Sequence, residues 1–365
     1  MAIDKEIPQV SFKQAEAAIL AGLEANIGTM LIGDPGVGKS ALMRQVAKRL
    51  GTQLAVVIGS TMDPTDLGGM PVVRVDGKGI DRIPLELIRR LCEQPGLLFL
   101  DELACAPPAV QAAMLRGILE RCFGDCELHP DTRVVAATNP PEQSPGGSEL
   151  SAPLMGRLAV FHLRPTHQEV QDFFDDLEDA ALPGLRDEAL EFAATLRVQS
   201  DLLQIDIPDT AVTGNKPWGA PRAWERALRA RAALGNGDKV VRQMVTASNV
   251  GQTQALAYEA IMDLRKFLPT IDECLKDPEN VKVPDDKRRQ IGAVGLIARV
   301  SERDKWAAMI VADRLCAELR AASGKMLMKR SGSTEDGHAD SPHRKKGALA
   351  RLNILKSLPK QAAQR

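Results

Sequence analysis

The residues Gly33-Asp34-Pro35-Gly36-Val37-Gly38-Lys39-Ser40 combine glycines, a lysine and a serine at the spacing G-x-x-x-x-G-K-[ST]. That spacing does phosphate chemistry. Glycines let successive backbone N–H groups point at phosphate oxygens with no Cβ in the way. Lys39 offers a flexible point charge to the β- and γ-phosphates, and Ser40 a hydroxyl to Mg²⁺. The expected phosphate-binding set runs from Gly33 through Ala41, the residue that follows the serine. A chance match somewhere in a chain of ordinary composition is on the order of 1%.

Two carboxylates, Asp101 and Glu102, close the apolar run "GLLFLDEL". Unpaired buried charges are costly, so packing alone does not account for them. Beside a phosphate loop, Asp101 is suited to the Mg²⁺ shell and Glu102 to polarising an attacking water as general base. Asn139, in "RVVAATNPP", ends a second apolar run, where it is suited to orienting the water or touching the γ-phosphate. A loop-starting Asn before Pro is also common in its own right.

These side chains need elements to hold them. "TMLIG" reads as a short apolar strand before the loop, and "SALMRQVAKRL" as a helix with Leu42, Val46 and Leu50 at helical spacing. The helix aims its positive end at the same anion. The runs ending in Asp101 and Asn139 read as buried strands, and parallel α/β sheets gather ligands at the carboxyl ends of their strands.

The order of these motifs resembles that of the AAA+ ATPases: "GDPGVGKS" their Walker A, "LLFLDE" their Walker B, "AATNP" their sensor 1. Within them, "DELACAPPAVQAAMLRGILE" and "HPDTRVVAATNPP" are similar to the MoxR-like branch. The resemblance implies an α/β P-loop core with a five-stranded parallel sheet, followed by an α-helical lid and a helical C-terminal extension. It also implies ATP and Mg²⁺ as cofactors. Ser60 and Thr61 end the second strand, where many AAA+ proteins hold a polar residue that restrains the Walker B glutamate. Val72, Val73 and Val75, across Asp76-Gly77-Lys78-Gly79 from Ile80 and Ile83, read as a β-hairpin. The branch carries an insert at this place, which in ring-shaped relatives faces the pore or the partner. A surface hairpin with no task fits the same residues.

Phosphoryl transfer develops charge that an arginine supplied from elsewhere can stabilise. Arg157, in "LSAPLMGRLAVFHL", sits where AAA+ proteins carry the finger that reaches a neighbouring subunit, although Gly156-Arg157-Leu158 replaces the usual Asp-Arg-Phe. Arg222 follows Pro221, which suits a first helical position, and "GAPRA" resembles the sensor 2 motif of MoxR-like lids. Arg226, Arg229 and Arg231 match no motif and read as a solvated face. His129, His162 and His167 read as structural.

The expected organisation is a core over 1–165 with the hairpin near 70–84, a helical lid over 166–236 and a helical extension over 237–322. A Ser/Gly/charge-rich linker over 323–347 and a basic helix or tail over 348–365 complete it, the last placing Leu349, Leu352 and Leu355 on one face. The net charge is −1, which gives the whole molecule no bias towards nucleic acid or anionic membrane. No apolar run approaches a spanning helix and the start lacks the pattern of a signal peptide, so the expected location is the cytoplasm. Cys122 and Cys126, in "CFGDC", lack a second pair at zinc spacing, and the six cysteines read as reduced thiols.

Three readings remain open. The first is Mg²⁺-dependent ATP hydrolysis by an oligomeric ring, expected to be a hexamer, that acts as a chaperone-like remodeller. MoxR-like relatives commonly activate von Willebrand factor A-domain proteins, which makes such a protein the implied partner. The second is a nucleic-acid-associated motor, and the third a non-hydrolysing nucleotide-gated scaffold.

Overall fold

A computed structural model of the chain describes residues 7–143, 150, 155–208, 211, 216–235, 237–331 and 340–358. Two compact units divide between Thr166 and His167.

The first unit alternates strands and helices. Strand β1 (Gln9–Val10) leads into α1 (Phe12–Glu24), then β2 (Thr29–Ile32), α2 (Lys39–Leu50) and β3 (Leu54–Ile58). Helix α3 (Pro64–Gly68), the hairpin β4 (Met70–Val73) and β5 (Ile80–Ile83), and α4 (Glu86–Glu93) come before β6 (Leu97–Asp101). Helix α5 (Pro108–Leu119), the small hairpin β7 (Cys122–Phe123) and β8 (Cys126–Glu127), β9 (Arg133–Thr138) and β10 (Ala159–Leu163) complete it.

The main sheet is parallel throughout, in the order β1-β10-β2-β9-β6-β3. It has six strands where five were expected. The extra one is the two-residue β1, which pairs with β10 at the edge through Gln9–His162 and Val10–Leu163. A pair of residues leaves no periodic signal in a sequence, whereas the other five are apolar runs. Leu97, Leu98, Phe99 and Leu100 are all fully buried, as befits a strand covered on both faces. Packing on one face gathers Leu31, Leu42, Val46 and Phe99, and on the other Met30, Leu98, Leu100 and Met114.

Register aligns the strand ends. Ile32 is opposite Thr138 and Ile58 opposite Asp101, so the segments following β2, β3, β6 and β9 leave the sheet along one edge. Strands β4 and β5 pair antiparallel as Val73–Ile80 and Met70–Ile83, which leaves Val75 in the turn, fully exposed, rather than on a strand.

The second unit is helical: α6 (His167–Asp175), α7 (Gly184–Leu196), α8 (Pro221–Leu234), α9 (Lys239–Val250), α10 (Gln252–Met262), α11 (Ile271–Lys276), α12 (Lys287–Arg303), α13 (Lys305–Asp313), α14 (Ala317–Ser331) and α15 (Arg344–Ser357). Phe174, Phe192, Trp224 and Tyr258 form one aromatic core, with rings at 4.3–5.6 Å. That core draws in Val250, Ile261 and Met262, so packing runs through the boundary expected at 236.

One expectation for the C-terminal region is corrected. The stretch read as a linker from Ser323 is helical to Ser331, because Leu319, Ser323, Met326 and Leu327 share one helical face and are buried. Residues 332–339 lie outside the described residues, as do Lys360 and Arg365 of the expected basic tail. Helix α15 packs through the face opposite Leu349 and Leu352. Gly347, Ala350 and Ile354 point inward, while Leu349 and Leu352 are 63% and 54% exposed. Gly347 lies so close to α13 that a Cβ would come within 2.8 Å of Trp306 Cβ. Among the described residues no helix is long and apolar enough to cross a membrane.

Candidate nucleotide site

The loop between β2 and α2 is fastened at its start, where the Gly33 N–H donates to the Thr138 carbonyl at 3.2 Å. The Val37 N–H then closes a turn onto the Asp34 carbonyl at 3.2 Å, and Val37 is buried. Gly36 and Gly38 take φ of 82° and 109°, a left-handed region that glycine enters without steric cost. Gly38 is also crowded: an added Cβ would lie 2.7 Å from Cζ of Phe12. Reciprocal hydrogen bonds between Ser11 and Gln14 cap α1 and hold Phe12 at its first position.

Gly38 caps α2 with no side-chain hydrogen bond. The first N–H groups of a helix have no partner inside it, and with the helix dipole they form an anion cradle. Pro35 and Gly36 line its approach half-buried, and Ala41 is exposed on the first turn.

Lys39 is 7% exposed, and its Nζ donates to the Gly33 carbonyl at 2.6 Å, the Asp34 carbonyl at 3.3 Å and Asn139 Oδ1 at 2.7 Å. Ser40 Oγ donates to Asp101 Oδ2 at 3.2 Å, so the hydroxyl and the carboxylate of β6 face one another. Mg²⁺ typically takes one or two protein oxygens, with water and phosphate oxygens filling the rest of its octahedron. The Ser40–Asp101 pair fits that requirement, and no cluster of three or more acidic, His or Cys ligands is found among the described residues.

Glu102 has a left-handed backbone, φ 57° and ψ 39°, unusual for a residue with a side chain. Its N–H donates to Asp101 Oδ1 at 2.9 Å, and its carboxylate accepts from Ser60 Oγ. Ser60 follows β3 and reaches Glu102 because Ile58 and Asp101 are in register.

Two further residues hold this corner, and neither was among those expected to act there. Thr138 Oγ1 accepts from the Ala104 N–H at 3.3 Å and donates to the Asn139 carbonyl at 3.2 Å, tying β9 to the turn after Glu102. Gln111 Nε2 donates to the carbonyls of Ala104 and Ala106 at 3.1 and 3.0 Å. The sequence signal for Thr138 was its place at the end of an apolar run. Gln111 carries none, because a glutamine on a helix is ordinary.

Among the described residues, the contacts that join Lys39, Ser40, Asp101, Glu102 and Asn139 do not include Arg157. Arg157 is exposed in the turn before β10, and Arg222 is exposed in the opening turn of α8, in the second unit. All six cysteines are free thiols, and burial pushes Cys92 up to about 12, which leaves it protonated at neutral pH.

Residues 28–158 match the family model of the AAA domain (dynein-related subfamily). Protein MoxR of Methylorubrum extorquens is 36% identical over 114 residues, which is 30% of this chain and 33% of that protein. Residues 28–158 thus carry a AAA domain, and within it the chain is similar to the MoxR-like branch. Its AAA+ domain is also similar to the human ATPase family gene 2 protein homolog B, 29% identical over 147 residues, or 38% of this chain and 18% of that one. The chain thus spans a third or less of these curated relatives. Among solved structures, a mutant of RuvB from Thermotoga maritima aligns with 80% of this chain and 82% of its own, at 18% identity and a TM-score of 0.36.

Proposed function

We propose that this MoxR-like AAA+ protein hydrolyses ATP with Mg²⁺ and uses the cycle to remodel or activate a partner protein as a ring. The observation that carries the reading is the convergence of Lys39, Ser40, Asp101 and Asn139 at one sheet edge, with Glu102 beside them. The uncapped N-terminus of α2 receives the phosphates, and Lys39 exchanges protein acceptors for β- and γ-phosphate oxygens. Ser40 and Asp101 would hold Mg²⁺, which when bound would neutralise charge that develops on the phosphates. Glu102, once released by Ser60, accepts a proton from water as that water attacks, and Asn139 orients the water or the γ-phosphate. Arg157 acts in trans on a neighbour's nucleotide, which is why a ring, with six subunits expected, belongs to the reading. Arg222 in the lid reports nucleotide state, and the exposed apolar hairpin of Val72, Val73 and Ile80 transmits it to a partner. A von Willebrand factor A-domain protein is the partner class implied by the branch, acting in the cytoplasm.

The test is ATP turnover against protein concentration for the wild type, Glu102→Gln and Arg157→Ala. The reading expects specific activity that rises with concentration and is lost in both variants. Turnover independent of concentration and of Arg157 would remove the trans-acting ring, and nucleotide binding without turnover would leave a scaffold.

A further inference from the structure

The helical unit contains a cavity of about 320 Å³ that the hydrolysis reading does not use. Three arginines line it: Arg265 from the 3₁₀ turn Asp263–Phe267, and Arg299 and Arg303 four residues apart on α12. Two carboxylates face them. Glu191 of α7 is 2% exposed and pairs with Arg265 and, at 3.7 Å, with Arg299. Asp272 pairs with Arg303 at 3.3 Å, and that pair is open to water, with side chains 89% and 59% exposed.

Cation exceeds anion at the lining. One buried carboxylate serves two guanidinium groups, and both the Arg299 Nε and the Glu191 Oε2 are buried with no hydrogen-bond partner among the described residues. A buried donor left unpaired is costly, and such a group in a native structure calls for an explanation. Arg265 is pushed down to about 10, by burial first and then by the charge of Arg299, while Asp187 and Glu188 act in the other direction. Glu188 itself holds Arg231 and Arg242.

We propose that this cavity binds a phosphate group, held by Arg299 and Arg303 with Arg265 behind them. Guanidinium forks match oxyanions with two parallel N–H bonds each. Donors arriving from two elements suit a tetrahedral anion with several acceptor oxygens better than a planar carboxylate. Leu268 and Leu296 form the rest of the wall, and the volume exceeds what a bare anion needs, so a small phosphate monoester is the class favoured.

Equilibrium dialysis of the full chain tests this, with the loop at Lys39 saturated by ADP and Mg²⁺ and ionic strength held with chloride. The probes are inorganic phosphate and phenyl phosphate. The proposal expects one saturable phosphate site per chain beyond the nucleotide, about tenfold weaker in Arg303→Gln and in Arg299→Lys. Asp272→Asn is expected to bind tighter, because its carboxylate competes for Arg303. Tighter binding of phenyl phosphate than of phosphate assigns an ester, and equal binding assigns the free anion. No saturable binding, or affinities indifferent to both Arg303→Gln and Asp272→Asn, overturns the proposal. Arg303 and Asp272 are exposed, so neither substitution puts the fold at risk.

Discussion

Ser60→Ala is expected to raise basal ATP turnover. In the structure Ser60 Oγ donates to the Glu102 carboxylate, the group proposed to take a proton from water. The carboxylate oxygen that accepts this hydroxyl hydrogen bond is engaged and is turned away from any other donor. Hydrogen bonds to charged groups contribute about 1.5–3 kcal/mol when shielded, and Ser60 is exposed, so about 1 kcal/mol is a fair figure here. If that bond must break before the water is activated, its removal lowers the barrier by the same amount, or roughly fivefold in rate. The left-handed backbone of Glu102 is itself worth roughly 1–2 kcal/mol of strain, and the Ser60 contact is one of the restraints that hold it. The assay is steady-state turnover at saturating ATP and Mg²⁺, with Ser60→Thr as a control that keeps the hydroxyl and Glu102→Gln as the background. Turnover in Ser60→Ala that equals or falls below the wild type, at unchanged nucleotide affinity, would refute the restraint: Ser60 would then be neutral or would aim Glu102 productively.

Other outcomes follow from the same contacts. Gly38→Ala places a side chain at φ 109° and within 2.7 Å of the Phe12 ring, so nucleotide affinity should drop about tenfold or more, read by titration with a fluorescent ATP analogue. Circular dichroism that is unchanged alongside that loss would confine the effect to the loop. Ile354→Ala empties a fully buried position on α15 and should cost about 2–4 kcal/mol in urea unfolding of the helical unit, with ATP affinity untouched. A cost near zero would mean that α15 is not docked in solution. Burial pushes the Glu188 carboxyl up, but Arg231 and Arg242 outweigh it and hold the group below the usual carboxylate range. A depressed carboxylate stabilises the fold above its unfolded pKa of about 4.3 and loses that contribution as pH falls through the lower folded value. Glu188→Gln should therefore be less stable than the wild type at pH 7, with the gap narrowing in acid. A gap that stays constant below about pH 4.3 would show that Glu188 does not carry the effect.

The phosphate loop was legible because its chemistry demands particular residues next to one another: Gly38 has no substitute at that φ, and Lys39 none at that reach. Asp101 and Asn139 were legible for a different reason. A buried parallel strand is a continuous apolar run, so a polar residue at its end stands out. Ser60 was legible only through the resemblance, because its partner Glu102 lies 42 residues away and the two meet by the register of β3 against β6. Gln111 and Phe12 carry no local mark at all. Their work depends on where α5 and α1 pack, which is a property of the whole sheet. In the C-terminal region the helix was legible and its buried face was not. Leu349, Leu352 and Leu355 have helical spacing, but burial on a crowded surface selects small residues as well as large ones. Gly347 and Ala350 let α15 approach Trp306 closely enough for Ile354 to be enclosed, so Leu349 and Leu352 on the other face are left outside. Apolar periodicity identifies a helix, and the size of the residues between the apolar ones decides which face a neighbour can approach.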